Sequence, residues 1–453
     1  MRRPGFVVGA AVASHLPALG AGYVWLDHAH IEDGAAIARP ADFLGLFTHG
    51  FAGTGYYRPL VSLALSLDAL VGGASVMHVT SVVWHAVASV MVMLAAEALG
   101  LARRSALGAA LLFAVHPLSA LVADAIAFRS EAMLVASLMT LLWAHRNERP
   151  ALAAAALAFA ALTKETGLVL GPLLVLALGR HTRRLYVPEG AALALALGAR
   201  LLFAPAWRAP YAAMSAADQI GTRLTSVAKS AAAVLGVERS ICDAFAITHP
   251  WQPTALAGGV ALVVLAVFAW KRRGITLLLA LAVLPALQLV PVTRWWSPHY
   301  LYLPLAFAAM LVAARVEHVR FAPLVLAALG ALTCYDSLRY HDDTSLWTPE
   351  VKHQPACREA QFYLGEVERS ARRWDAAGKR YEAALAERAD MLAFVDRGAA
   401  LQNLGTVRFE QRRYADAIAA YEKALEGTAD EQRRRELTYN ISSARARAAR
   451  ASE

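Results

Sequence analysis

Charge is scarce in this chain. Asp, Glu, Lys and Arg together supply 17% of its 453 residues, where soluble domains carry roughly a quarter. That deficit excludes an ordinary soluble protein. The 58% hydrophobic content and mean hydropathy of +0.42 point instead to a polytopic membrane protein. Cysteine is nearly absent as well. Cys242, Cys334 and Cys357 have no C-x-x-C or related spacing, so they make no cysteine metal site. They read as small apolar fillers, or as a Cys334–Cys357 disulfide if both face an oxidising compartment. No convincing A-x-A cleavage site closes the apolar stretch behind Arg2-Arg3, and more spans follow, so it reads as an uncleaved first span. A net charge of +9 and a pI of about 9.6 raise nucleic acid as a partner. No basic patch with interleaved aromatics is present, and the basic residues flank apolar runs, so nucleic acid is not the expected partner.

Apolar stretches fall at about 5–25, 76–99, 105–123, 126–144, 151–163, 167–179, 185–204, 255–270, 274–292, 300–314 and 320–336. A straight crossing needs about 20 residues, so 151–163 and 167–179 read as a short hairpin with Thr163-Lys164-Glu165-Thr166 recessed at its tip. With the N-terminus inside, eleven spans place every arginine-type flank in the cytoplasm: Arg2-Arg3, Arg103-Arg104, Arg146 and Arg149, Arg180 with Arg183-Arg184, Lys271 to Arg273, Arg315 and Arg320. The C-terminus is then extracytoplasmic. Two external segments are long enough to hold structure, 27–75 and 205–254. The second carries an expected surface helix whose apolar face is Ile220, Leu224, Val227, Ala231 and Leu235.

From about residue 350 the composition turns polar, and 359–390 repeats in 399–430. Leu364-Gly365, Ala377, Tyr381 and Ala384 recur as Leu404-Gly405, Ala417, Tyr421 and Ala424. Small residues at fixed offsets let paired helices approach, and aromatics fill the space between them. This is the tetratricopeptide pattern, with about six residues inserted near Met391 to Arg397 and an arginine-rich capping helix at about 433–450.

The acids and bases of the outer flanks form the candidate site. Asp27, in Trp25-Leu26-Asp27-His28, is placed to act as a general base toward a hydroxyl, or is simply a solvated interfacial acid. His28, His30, Glu32 and Asp33 could form a metal site only weakly, so no metal ligand is assigned and a divalent-metal requirement stays open. Arg129 and Glu131 begin a membrane helix, where ionisable residues are costly unless paired or functional. Arg129 could pair with Glu131 or Asp124, or serve a ligand, and Lys164-Glu165 carries the same ambiguity. Arg294 and His299 beside Trp295-Trp296 suit a lipid-linked phosphate, for which arginine supplies a bidentate fork; the tryptophans alone would be an aromatic belt. No charge falls in the middle of a span, which disfavours a transporter.

In order and spacing these elements resemble the polytopic GT-C glycosyltransferases related to protein O-mannosyltransferases, in particular the transmembrane and tetratricopeptide-repeat-containing O-mannosyltransferases and their bacterial relatives. The matching elements are Trp25-Leu26-Asp27-His28, Tyr57-Arg58-Pro59-Leu60, His116-Pro117 with Arg129-Ser130-Glu131, Lys164-Glu165, Tyr300 to Pro304, and Asp343 to Trp347. The fold so implied is all-α: a GT-C-like membrane bundle of about eleven spans over 1–345, then a tetratricopeptide-repeat domain over 346–453. The resemblance implies an inverting transfer of a mannose-like sugar from a polyprenyl- or dolichyl-phosphate carrier to a hydroxyl of a protein acceptor, on the outer side of a bacterial cytoplasmic membrane. Asp27 would be the base, with Glu131 also catalytic. Arg58, Arg129, Lys164, Glu165, Arg294 and His299 would bind the lipid phosphate, and the repeats would dock the acceptor. One departure stands out. Relatives carry two adjacent acids in the first loop, and here the first is Leu26. If the pair is needed, the chain is instead a catalytically impaired, membrane-anchored repeat scaffold for envelope proteins.

Overall fold

A computed structural model describes residues 3–179, 183–204, 214–289, 294–316, 318, 320–428 and 430–452. Arg2, Arg180 and parts of the expected segments 205–254 and 274–292 lie outside them. The described residues are nearly all helical and divide into two compact units.

The first unit takes in residues 1–239, 248–292 and 297–342. Its helices are α1 (Arg3–Ser14), α2 (Pro59–Val71), α3 (Ala74–Ala98), α4 (Arg103–Ala114), α5 (Ala120–Asp124), α6 (Arg129–Arg146) and α7 (Pro150–Thr163). There follow α8 (Glu165–Ala177), α9 (Arg183–Phe203), α10 (Ala216–Val234), α11 (Pro253–Arg272), α12 (Ile275–Val283), α13 (Tyr302–Val316) and α14 (Ala322–Ser337). The expectation of eleven spans needs correction. Among the described residues, five helical stretches are long and apolar enough to cross a membrane: Ala74–Ala98, Ile126–Arg146, Arg183–Phe203, Pro253–Arg272 and Pro298–Val316. A sixth arises only if α4 and Pro117–Asp124, bent by 53°, count as one span. The cause is local. Proline lacks the N–H that continues a helix, and Pro17, Pro117 and Pro285 each fall where an apolar run changes from α-helix to 3₁₀ turns. The runs at 151–163 and 167–179 are short helices, α7 and α8, joined at Lys164 in extended conformation.

The helix expected near 220–235 forms as α10, with the Ser215 hydroxyl accepting the Asp218 N–H at its start. Its expected apolar face is buried only in part. Val227 is buried and Leu224 half-buried, but Ile220, Ala231 and Leu235 are exposed, while Gly221, Thr222, Ser226 and Ser230 are buried. Close backbone contact with α11 explains the choice of small residues, because a Cβ on Gly258 would lie 1.7 Å from the Leu224 carbonyl oxygen. Gly258→Ala is therefore expected to cost about 3 kcal/mol, the upper range for overpacking, seen as a lowered unfolding temperature in detergent. An unchanged temperature would contradict this contact.

The second unit starts at Asp343 and adds two segments that the sequence assigned to the membrane part, 240–247 and 293–296. Its helices are α15 (Asp343–His353), α16 (Arg358–Ser370), α17 (Trp374–Leu385), α18 (Arg397–Glu410), α19 (Tyr414–Glu426) and α20 (Glu431–Ser452), each packed on the next. The repeated Gly and Tyr explain the two central hairpins. A Cβ on Gly365 would meet the Tyr381 ring at 2.8 Å, and one on Gly405 would meet Tyr421 at 2.6 Å. Leu437, Ile441 and Ala444 turn the inner face of α20 onto the stack.

The residues inserted between the two repeats have a partner. Strand β1 (Phe245–Ala246) pairs antiparallel with β2 (Met391–Leu392), in the register Phe245 to Leu392 and Ala246 to Met391. Beside it, Cys242 is bonded to Cys357, not Cys334 to Cys357, and Cys334 is the free thiol. The bond spans 115 residues, a loop whose closure stabilises a fold by about 3–5 kcal/mol in the chain-entropy account.

Candidate functional site

The site in the first unit begins where the chain leaves the 3₁₀ turn Leu16–Gly20 and runs extended into Trp25. Trp25 has a left-handed backbone (φ 55°), and its ring is fully buried with its centroid 4.8 Å from that of Phe128. This sharp entry turns Asp27 inward. Its carboxylate is wholly buried and accepts the Ala127 N–H at 2.7 Å, the Val24 N–H at 3.3 Å and the Ile126 N–H at 3.4 Å. Asp27 is thus not a solvated interfacial acid. Burial pushes its pKa up to about 7, against the three N–H groups and His28, which pull it down. An acid so poised exchanges a proton near neutrality.

The contacts continue from that turn. Phe128 lies against the His299 ring at 4.9 Å, and His299 Nε2 lies 3.8 Å from Glu131 Oε1. Glu131 is ion-paired with Lys164, both almost fully buried. The next residue, Glu165, accepts from Arg58 Nε at 3.1 Å and Nη2 at 3.0 Å, from the Tyr57 N–H at 3.1 Å, and from Arg200 Nη1 at 3.4 Å. Segments distant in sequence therefore bring Asp27, Arg58, Glu131, Lys164, Glu165 and His299 into one connected group. Three cations, Arg58, Lys164 and Arg200, meet two carboxylates there.

Two predicted phosphate ligands are placed otherwise. Arg129 pairs with neither Glu131 nor Asp124. It is fully buried against Asp68, with Nε on Ser81 Oγ at 3.0 Å and Nη2 on the Met77 carbonyl. An arginine at that depth needs every donor satisfied, and this one braces α2 and α3 against α6. Arg294 belongs to the second unit, where its guanidinium grips both oxygens of Glu359, Nε at 2.9 Å, and lies 5.2 Å from the centre of the Phe394 ring. Trp295 and Trp296 are buried in that unit and form no aromatic belt.

A cavity of about 480 Å³ lies within residues 35–62, bordered by Asp42, His49, Phe51 and Arg58 among mostly small apolar residues. Of the predicted residues only Arg58 lines it. Among the described residues no group of three or more His, Cys, Asp or Glu is arranged to hold a metal ion. His28 instead contacts Glu32 one turn on, and His30 lies edge-on to Phe51.

Sequence reasoning missed Asp68 and Arg200. Asp68 had a signal, a lone acid in the apolar run Leu60 to Val71 that demands a partner. Arg200 had none, since it reads as one more flank. No protein-family model matches the chain, and no curated protein or solved structure matches it.

Proposed function

We propose that the protein is a membrane glycosyltransferase of the GT-C type, which moves a sugar from a polyprenyl-phosphate carrier to a hydroxyl of a protein acceptor on the outer face of the bacterial cytoplasmic membrane. The observation that carries this reading is the connected group around Asp27: a buried acid titrating near neutrality, linked through Phe128 and His299 to a cluster with more cations than carboxylates. In the reaction the acceptor oxygen attacks the anomeric carbon and forms the new C–O bond. The bond from that carbon to the phosphate oxygen breaks, and its electron pair leaves with the polyprenyl phosphate. Asp27 takes the hydroxyl proton. Arg58 and Lys164 offset the negative charge that grows on the phosphate, while Glu131 and His299 hold Lys164 in place. Direct attack inverts the sugar carbon. The tetratricopeptide-like hairpins present the acceptor. A disulfide within their unit is at home in an oxidising compartment, which favours an extracytoplasmic position for the repeats and a cytoplasmic N-terminus.

A scaffold without activity is the second reading. It is favoured by Leu26 in place of an acid and by the engagement of Arg129 with Asp68 and of Arg294 with Glu359. Purified protein supplied with a polyprenyl-phosphate sugar and an envelope polypeptide separates the two: sugar on the polypeptide is the expected result. Neither transfer nor binding of the donor would leave the scaffold.

A further inference from the structure

Several buried helical hydroxyls in this protein are satisfied locally. Ser81, Ser89, Ser137 and Thr140 each donate to the carbonyl four residues back, the usual way to satisfy a buried hydroxyl in a helix. Thr163, fully buried in the last turn of α7, is not: like that of Ser337 at the end of α14, its hydroxyl makes no hydrogen bond, although the Phe159 carbonyl is the partner that spacing offers. Three residues on, in the first turn of α8, the Thr166 hydroxyl is likewise buried and unpartnered. A buried hydroxyl without a partner costs about 1–3 kcal/mol, and two of them bracket the same chain break.

That break has the other attributes of an anion site. It opens the thirteen-residue helix α8, whose first N–H groups and dipole favour negative charge. Lys164 lies between the two threonines, and Arg58 and Arg200 converge on Glu165, so the cluster is left with one positive charge in excess. The two helices are locked together there, since a Cβ on Gly167 would lie 2.3 Å from the Ala160 carbonyl oxygen. The hydroxyls are consequently held on a rigid turn.

We infer that the break between α7 and α8 is a phosphate-ester site, in which the Thr163 and Thr166 hydroxyls donate to phosphate oxygens whose charge Lys164 and Arg58 offset. The identity of the ligand as a polyprenyl phosphate rests on the glycosyltransferase reading; the site itself does not. A phosphodiester carries a single negative charge, which the surplus of one matches. A leaving phosphate monoester carries more, and the added charge falls where two neutral donors stand ready.

The test is binding, read without turnover. Full-length protein in detergent is titrated with a polyprenyl phosphate, with inorganic phosphate and with phosphatidylglycerol, following the ligand-induced rise in unfolding temperature. Wild type is expected to bind the polyprenyl phosphate in preference to the other two. Thr163→Val is expected to weaken it about tenfold or more, as for loss of a hydrogen bond to a charged group, and Thr163→Ser to restore it. Without ligand, Thr163→Val should unfold at the same or a higher temperature, because it removes a hydroxyl with no partner; a merely structural hydroxyl would lower it. Unchanged binding in both Thr163→Val and Thr166→Val overturns the site. Sugar transfer alongside that result would leave the glycosyltransferase reading intact, whereas threonine-dependent binding with no transfer would keep the site and remove that reading. Equal binding of inorganic phosphate would keep the anion site and overturn its lipid assignment.

Discussion

Replacing Asp27 by Asn is expected to lower sugar transfer by about 10²–10⁴-fold, the usual range for loss of a general base, while the fold survives. The amide keeps an acceptor for the Ala127 N–H, the shortest of the three bonds to this side chain. The wild-type rate should rise with pH through about 7, where the Asp27 carboxyl loses its proton, and that limb should vanish from the residual activity of the variant. Stability runs the other way. The folded protein holds the Asp27 proton to a pH about three units above the ordinary carboxyl value of 3.8, so the unfolded state releases it first. Stability from this group is therefore full below about pH 4 and is lost as pH rises toward 7. Asp27→Asn should flatten that part of the stability profile in chemical denaturation. A transfer rate equal to that of wild type would remove Asp27 as the base.

Arg294→Met should destabilise the second unit by about 3–5 kcal/mol, the cost of leaving one member of a buried ion pair alone. Glu359 is almost fully buried and would lose its bidentate partner. Asp243 would suffer too. Its Oδ2 accepts the Phe394 N–H at 2.9 Å, its Oδ1 has no partner, and burial together with Glu359 already pushes its pKa up while Arg294 pulls it down. Removing both charges in Arg294→Met with Glu359→Leu should recover much of the loss, since a packed apolar pair can equal a buried ion pair. Thermal unfolding of the single and double variants measures this. A single variant as stable as wild type would contradict the ion pair.

These outcomes also mark what the amino-acid pattern could and could not convey. The hairpins of the second unit were legible because their spacing is local: Gly365 and Tyr381 are sixteen residues apart, as are Gly405 and Tyr421, and one helical turn geometry fixes both. The insertion near Met391 was legible as a length, but its pairing with Phe245 and Ala246 was not, because nothing local specifies a strand partner nearly 150 residues away. Arg129, Lys164 and Arg294 announced themselves as charges that apolar surroundings do not tolerate alone. Which carboxylate each would find depended on packing, and the answers were Asp68, Glu131 and Glu359. The span count failed for a different reason. Averaging hydropathy over a window hides single prolines, and Pro17, Pro117 and Pro285 redirect the backbone regardless of how apolar their neighbours are.

The second unit is assembled from three stretches of chain, with Cys242, β1 and Arg294 contributed from outside its C-terminal stretch. A fragment beginning at Asp343 would therefore carry every helix of the unit and still lack half of its fastenings: Cys357 without its bonded sulfur, β2 with an open edge, and Glu359 buried without its counter-ion. The helices that follow Asp343 therefore complete the unit only when Cys242, β1 and Arg294 have already been brought to them.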